Sequence, residues 1–109
     1  MAQEGVCAIN LITLRENATV AEFARFSAEL DQPTLLAQDV VLGFDVYAVA
    51  DGGAAGVDIV ETLHVRDWGE WEQVRDGLPA MGGVVAEFER LVAPDGVRTI
   101  FATRIAPGA

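Results

Sequence analysis

The predicted strands of this chain are apolar on both faces, and that feature constrains the fold more than any other. Side chains alternate across a strand, so a sheet with one exposed face shows a regular alternation of apolar and polar residues. The runs from Val6 to Arg15, Val40 to Val49 and Val57 to Val65 carry apolar residues on both sides of that alternation. We therefore expect helices on one face of the sheet and a second copy of the chain on the other.

A helix is predicted between the first two strands. Thr19 and Glu22 have the spacing of a capping box at its start, and Pro33 is expected just past its end. The segment from Leu35 to Asp39 is ambiguous and compatible with a short helical turn. The glycine-rich residues 51–56 then predict a hairpin connection between the second and third strands.

A second helical region follows the third strand. Asp67 is its expected N-cap, Gly77 to Pro79 interrupt it, and a second piece reaches Val92. Pro94 to Gly96 predict a turn before a last strand from Val97 to Ile105. The order β-α-β-β-α-β predicts one α+β, ferredoxin-like domain over residues 1–109, with an antiparallel four-stranded sheet and two helices on one face.

Composition narrows the partners and the chemistry. With 17 acidic and 7 basic residues, the chain carries a net charge of −10 and repels phosphate backbones and anionic lipids, so we expect neither a nucleic-acid nor a membrane partner. The first residues lack the positive region and apolar core of a signal peptide, which favours a cytoplasmic location. The sequence has no lysine and a single histidine, so we expect no Schiff-base cofactor, no metal site and no other cofactor.

The third strand supplies the main candidate site. Asp58, Thr62 and His64 share one face of a strand that is otherwise apolar. An unpaired buried polar group costs roughly 1–3 kcal/mol, so polar groups on such a face bond one another, meet water or face a ligand. We expect this face to line the pocket. His64 is the natural proton shuttle, although a histidine bonded to a backbone carbonyl at a strand end is an equally good interpretation.

Other polar side chains fit supporting roles. Asp58 lies six residues from His64, close to 20 Å along an extended strand, so the two would act at opposite ends of one substrate, or Asp58 is a solvated strand-end carboxylate. Asn10 could orient a carbonyl or a water, or be a structural amide. Tyr47 is expected at the cavity or the dimer contact. Glu61, on the opposite face of the third strand, is expected to bridge the dimer interface to Arg98 or Arg104.

Trp68 and Trp71 flank the start of the second helical region. Aromatic side chains there are typical of a core or a lid, and they would also suit a flat heteroaromatic substrate.

The element order, the apolar outer face and the interrupted second helix resemble the dimeric α/β-barrel superfamily. Asp67-Trp68-x-x-Trp71 and Phe88-Glu89-Arg90-Leu91-Val92 look most like the RedY/HapK-like proteins of prodiginine and bisindole-type pigment clusters. That resemblance implies a homodimer with a ligand cavity between the sheet and helices of each protomer. In the cyclase branch a His-Pro-x-His segment supplies the acid/base group. Here Leu78-Pro79-Ala80-Met81 stands in its place, and Met81 is expected to contact substrate.

The cyclase branch also carries a pocket-facing histidine near the start of its third strand, and Asp58 takes that position here. The resemblance therefore implies a cofactor-independent tailoring enzyme of bacterial secondary metabolism that cyclises or isomerises an indole- or pyrrole-bearing aromatic intermediate. His64 would be the acid/base group, while Asp58 and Asn10 would hold polar ends of the substrate. The alternatives are a cofactor-free monooxygenase and a non-catalytic dimeric binding protein for a pigment precursor.

Overall fold

An antiparallel four-stranded sheet carries the helices in this computed structural model, which describes residues 5–51 and 53–105. The strands are β1 (Val6–Leu14), β2 (Val41–Ala48), β3 (Ile59–Val65) and β4 (Val92–Ala102), in the spatial order β2-β3-β1-β4. The helices are α1 (Val20–Phe26), α2 (Gln32–Leu36), α3 (Trp68–Gly77) and α4 (Ala80–Leu91). The ferredoxin-like architecture expected from the sequence is confirmed. No helix in the described part of the chain is long and apolar enough to cross a membrane.

The first helical region begins as predicted and ends later than predicted. The Thr19 hydroxyl accepts a hydrogen bond from the Glu22 amide at 3.1 Å, and the Glu22 carboxylate accepts one from the Thr19 amide at 3.0 Å. After α1 the chain makes a π-helical turn over Ser27–Asp31 and continues directly into α2. Pro33 therefore lies inside the helical region, in the first turn of α2, where a residue without an N–H is tolerated.

The predicted turn at Pro94 to Gly96 is absent, because β4 runs through it from Val92 to Ala102. The register between β1 and β4 shifts at this point, which is the mark of a bulge. Asp95 has a positive φ of 57°, and a Cβ on Gly96 would lie 2.7 Å from the backbone oxygen of Thr13. Glycine at position 96 thus lets β4 bend while remaining close to β1.

Burial shows which side of β3 faces the helices. Ile59, Glu61, Leu63 and Val65 are buried, whereas the residues between them are only partly buried. The predicted assignment of the two faces is therefore wrong. Burying a large aliphatic side chain contributes about 1.5–3 kcal/mol, so three of them outweigh the cost of enclosing one carboxyl group that can take up a proton.

Candidate functional site

A cavity of about 280 Å³ lies between the inner face of the sheet and the helices. Apolar side chains make most of its wall, among them Leu63 and Phe44 from the sheet and Val84 and Phe88 from α4. Its polar lining comes from five residues, which are Asn10, Asp31, Glu61, Arg75 and Thr99. A mostly apolar enclosure with a few convergent polar groups is typical of a small-molecule site.

Two carboxyl groups face each other inside this enclosure. Glu61 on β3 is 4% exposed, and Asp31, at the end of the π-helical turn, is 5% exposed. Burial, and after it the nearby charge of Asp31, raise the pKa of Glu61 to about 8. Burial also raises the pKa of Asp31 to about 6, although the hydrogen bond to Glu61 acts in the opposite direction. Near neutral pH the pair therefore holds one proton, carried mainly by Glu61.

Asn10 and Thr99 hold Glu61 in place from the neighbouring strands. Asn10 lies directly opposite Glu61 on one side and opposite Thr99 on the other, so all three project from the same face. The Asn10 side-chain amide donates to Glu61 Oε1 at 3.3 Å, and the Thr99 hydroxyl donates to Asn10 Oδ1 at 2.7 Å. Because the amide hydrogen bond favours the charged form of Glu61, it lowers the pKa of this carboxyl and partly offsets burial.

Aromatic side chains form the walls on the α3 side. Trp71 is buried in the core, while Trp68 is half-buried and meets the exposed Phe101 of β4 edge to face, with ring centroids 4.8 Å apart. Met81, at the start of α4, also lines the cavity. Asn10, Trp68, Trp71 and Met81 thus line the cavity, and their contact with a substrate stays a prediction.

His64, Thr62 and Tyr47 lie on the outer face of the sheet. His64 and Thr62 line a separate depression of about 360 Å³, together with Cys7 and Asp45. Tyr47, expected at the cavity or the dimer contact, is 55% exposed on the outer face, so for this residue the dimer contact stays a prediction. The expectation that their face lines the cavity is wrong, because the alternation of β3 and its partner strands turns these side chains away from the helices. Proton transfer by His64 stays a prediction, and the cavity gives it no support.

Asp58 lies directly before β3, and its contacts are with the backbone of β1. Its Oδ2 accepts a hydrogen bond from the backbone amide of Leu14 at 2.8 Å, and its own amide donates to the carbonyl of Ile12 at 2.8 Å. These contacts tie the connection before β3 to the end of β1, and Asp58 does not line the cavity. A substrate-positioning role for Asp58 therefore lacks the geometry that the sequence led us to expect.

The predicted salt bridge from Glu61 to Arg98 or Arg104 at the dimer interface is not formed either. Glu61 is in the cavity, bonded to Asn10, while Arg98 precedes Thr99 on β4 and projects from the opposite face. Arg104 lines the depression on the outer face.

Asp31 and Thr99 were missed by the sequence reasoning. Phe23, Ser27 and Asp31 follow one another at intervals of four residues, and all three are buried. The spacing alone could have placed Asp31 on the inward side of the helix. Thr99 gave no comparable signal, because its position follows from the register of β4 against β1. No group of three or more metal-binding side chains is present within residues 5–51 and 53–105.

The model of one protein family, described as REDY-like protein HapK, matches residues 6–105. The chain belongs to the HapK family. Membership over nearly the whole length confirms the resemblance that Trp68, Trp71 and the end of α4 suggested. Among curated proteins, none matches the chain significantly.

Solved structures agree with this HapK-family assignment. HapK from Hahella chejuensis superposes with a TM-score of 0.78 at 20% identity, over 95% of this chain and 96% of that one. A dimeric ferredoxin-like protein of unknown function from Thermobifida fusca gives a TM-score of 0.71 at 15% identity, over 95% and 94%. SnoaB, a cofactor-independent oxygenase from Streptomyces nogalater, gives 0.68 at 13% identity, over 97% and 96%. At these identities the likeness concerns the fold, which some enzymes share.

Proposed function

We propose that this HapK-family chain is a cofactor-independent enzyme that transfers protons on a small aromatic substrate bound in the cavity. The observation that carries the proposal is the pair of buried carboxyl groups, Asp31 and Glu61, at the side of an apolar enclosure. Two titratable groups whose environments separate their pKa values are a common arrangement for an acid and a base.

Each carboxyl group has a distinct role in this mechanism. Near pH 7 the ionised Asp31 removes a proton from one atom of the substrate, and the protonated Glu61 delivers a proton to another. The substrate gains and loses one proton, so an isomerisation or a ring closure by addition needs no oxidant. The pair resets when the proton passes from Asp31 back to Glu61, whose pKa is the higher of the two. Asn10 keeps the Glu61 carboxyl in position throughout.

The wall of the cavity supports an aromatic substrate, because Trp68 and Trp71 offer large, flat apolar surfaces. Together with membership of a REDY-like family, this favours cyclisation or isomerisation of an indole- or pyrrole-bearing intermediate in bacterial secondary metabolism. We propose a homodimer as the working unit, with both cavities complete within their own protomers.

Replacing the acid tests the proposal directly. Glu61→Gln preserves the shape and the contact to Asn10 but cannot donate a proton of comparable acidity, so kcat should fall about 10²–10⁴-fold with an indole- or pyrrole-bearing substrate. Glu29→Gln removes a carboxyl from the exposed side of the same π-helical turn and should leave kcat within about twofold. Turnover by E61Q at the wild-type rate would remove the acid–base assignment.

The likeness to a cofactor-independent oxygenase keeps cofactor-free monooxygenation as a second candidate. In that reaction the deprotonated substrate itself would reduce oxygen, and Asp31 would again be the base. An oxygen electrode separates the two: proton transfer alone proceeds without oxygen uptake, whereas monooxygenation consumes one O₂ per substrate. A ligand that binds tightly but reacts at its uncatalysed rate would indicate a binding protein.

A further inference from the structure

The charges that face the cavity are unbalanced. Asp31, Glu61 and Arg75 are its titratable lining residues. The Arg75 guanidinium, on α3, is bonded to Asp76 at 2.9 Å and lies 3.9 Å from Glu72, so outward-facing carboxylates already compensate its charge. Within the described part of the chain, neither Asp31 nor Glu61 forms a salt bridge. The pair therefore keeps a negative charge that no salt bridge compensates, and the one cationic side chain in the described lining, Arg75, is paired with other carboxylates.

A second observation shows a hydrogen-bonding position that the protein leaves open. Glu61 Oε2 is buried and accepts no hydrogen bond from any residue that the structure describes. Most buried polar atoms in folded proteins have a partner, so an atom left without one at a cavity wall is suited to a ligand. Trp68 and Phe101 also line this cavity, and aromatic rings attract cations at their faces.

We propose that this cavity selects aromatic ligands that carry a positive charge or an N–H or O–H donor, and that it rejects aromatic carboxylates and phosphates. A donor or cation reaching Glu61 Oε2 would favour the form of the pair in which Glu61 is ionised and Asp31 holds the proton, and it would supply the missing hydrogen bond and compensate the negative charge. An anion would add a like charge at short range in a medium of low dielectric constant. This selectivity concerns the substrate site of the proposed function and in that respect rests on it.

Four probes with one ring system test the charge preference of the wild-type protein. At pH 7, 2-naphthylmethylammonium is a cation, 2-naphthol is neutral with a donor, 2-methoxynaphthalene is neutral without one, and 2-naphthoate is an anion. By isothermal titration calorimetry the ammonium probe should bind at least about tenfold more tightly than 2-naphthoate, and 2-naphthol more tightly than its methyl ether. Equal affinities for the ammonium and the carboxylate would overturn the inference, as would a failure of all four to bind at millimolar concentration.

A variant locates the source of the preference. Asp31→Asn retains the shape but removes the charge, so the ratio of the ammonium to the naphthoate affinity should fall at least about fivefold. Glu29→Gln removes a charge from the outer side of the same turn and should leave that ratio unchanged. An unchanged ratio in D31N, or an equal fall in E29Q, would show that the preference does not come from the cavity. The wild-type series stands even if D31N does not fold.

These measurements separate the selectivity from the proposed function. Probe binding involves no turnover, so the affinity order can hold while E61Q keeps its activity, in which case only the acid–base assignment fails. Conversely, turnover that depends on Glu61 together with tight binding of 2-naphthoate would leave the proposed function standing and remove the charge selectivity.

Discussion

Asp31 and Glu61 hold one proton between them, because ionising both carboxyls in the apolar cavity would cost more free energy than keeping one of them protonated. Two ionised carboxyls that are electrostatically coupled repel each other strongly where little water screens them. Keeping one group neutral removes the repulsion and leaves that group able to donate a proton. The same physics makes the pair useful, because it holds a base and an acid ready at one pH.

We predict a bell-shaped pH dependence of kcat/KM. Protonation of Asp31, whose pKa is about 6, removes the base on the acid side, and ionisation of Glu61, whose pKa is about 8, removes the acid on the other. The apparent values belong to the coupled pair, so a steady-state profile from pH 5 to pH 9 should reach its maximum near pH 7. A rate that stays flat across this range would contradict the assignment.

The same pair predicts how stability depends on pH. The pKa of Glu61 in the folded protein is raised from 4.5 to about 8, so the folded state binds the proton more tightly than the unfolded chain does. This contribution is complete below about pH 4 and is lost as the pH rises towards 8. Glu61→Gln should therefore raise Tm over the wild type at pH 8.5 by at least about 4 °C and have little effect at pH 4.5.

Thermal unfolding followed by circular dichroism at the two pH values checks this prediction. The Glu29→Gln control also removes one negative charge, but its carboxyl is exposed, so its effect on Tm should be small at both. A Tm difference between E61Q and wild type that is equal at pH 4.5 and pH 8.5 would contradict a raised pKa.

At the residue scale, the sequence indicated that a polar group of β3 lines a cavity, but our interpretation placed it on the wrong face. Thr62 and His64 make their face look polar, whereas Glu61 alone interrupts the other. Counting polar residues therefore favoured the wrong side. The deciding quantity was the apolar area of Ile59 and Leu63, which the helices cover. Asp31 could have been found from its four-residue spacing after Phe23 and Ser27.

At the element scale, local chemistry was a good guide wherever it acts within a few residues. Thr19 and Asp67 cap their helices as predicted, each accepting a hydrogen bond from the amide three residues later. Pro33 and the stretch from Pro94 to Gly96 were misinterpreted as breaks. Pro33 is in the first turn of α2, which follows a π-helical turn, and Pro94 to Gly96 form a bulge between two parts of β4 that pair with β1.

The bulge in β4 predicts that replacing two different glycines by alanine changes the stability of the fold in opposite directions. Gly96→Ala should destabilise the fold by about 1–3 kcal/mol, because the new Cβ would lie 2.7 Å from the Thr13 and Ala93 backbone oxygens. Gly83→Ala, in the exposed part of α4 with no atom within 4 Å of the added Cβ, should stabilise it by about 0.5–1 kcal/mol. Urea denaturation of both variants measures the difference, and equal effects would show that β4 does not approach β1 this closely.

At the scale of the whole molecule, the outer face of the sheet lacks a cover in the isolated chain. The helices all pack on the inner face, while Ile9, Leu11, Val60 and Ile100 project from the other side and are only partly buried or exposed. Large contiguous apolar patches are uncommon on monomers. The Thermobifida fusca relative with this fold is described as dimeric. A second copy of the chain covers this face most simply, since a two-fold axis brings identical apolar surfaces together.

Ile100→Asp should therefore separate the dimer into monomers. Ile100 is 42% exposed and sits at the outer face of β4, so an aspartate there would place two unpaired carboxylates in an apolar interface. Leu36, which is 49% exposed on the helical side, provides the matched control, and Leu36→Asp should leave the dimer intact. Multi-angle light scattering at micromolar concentration distinguishes the two masses. A monomeric wild-type protein, or equal dissociation of both variants, would mean that the outer face is not the interface.

Because the cavity is lined by residues of one protomer, monomeric I100D should still bind aromatic probes. That result would show that ligand binding does not depend on dimer formation.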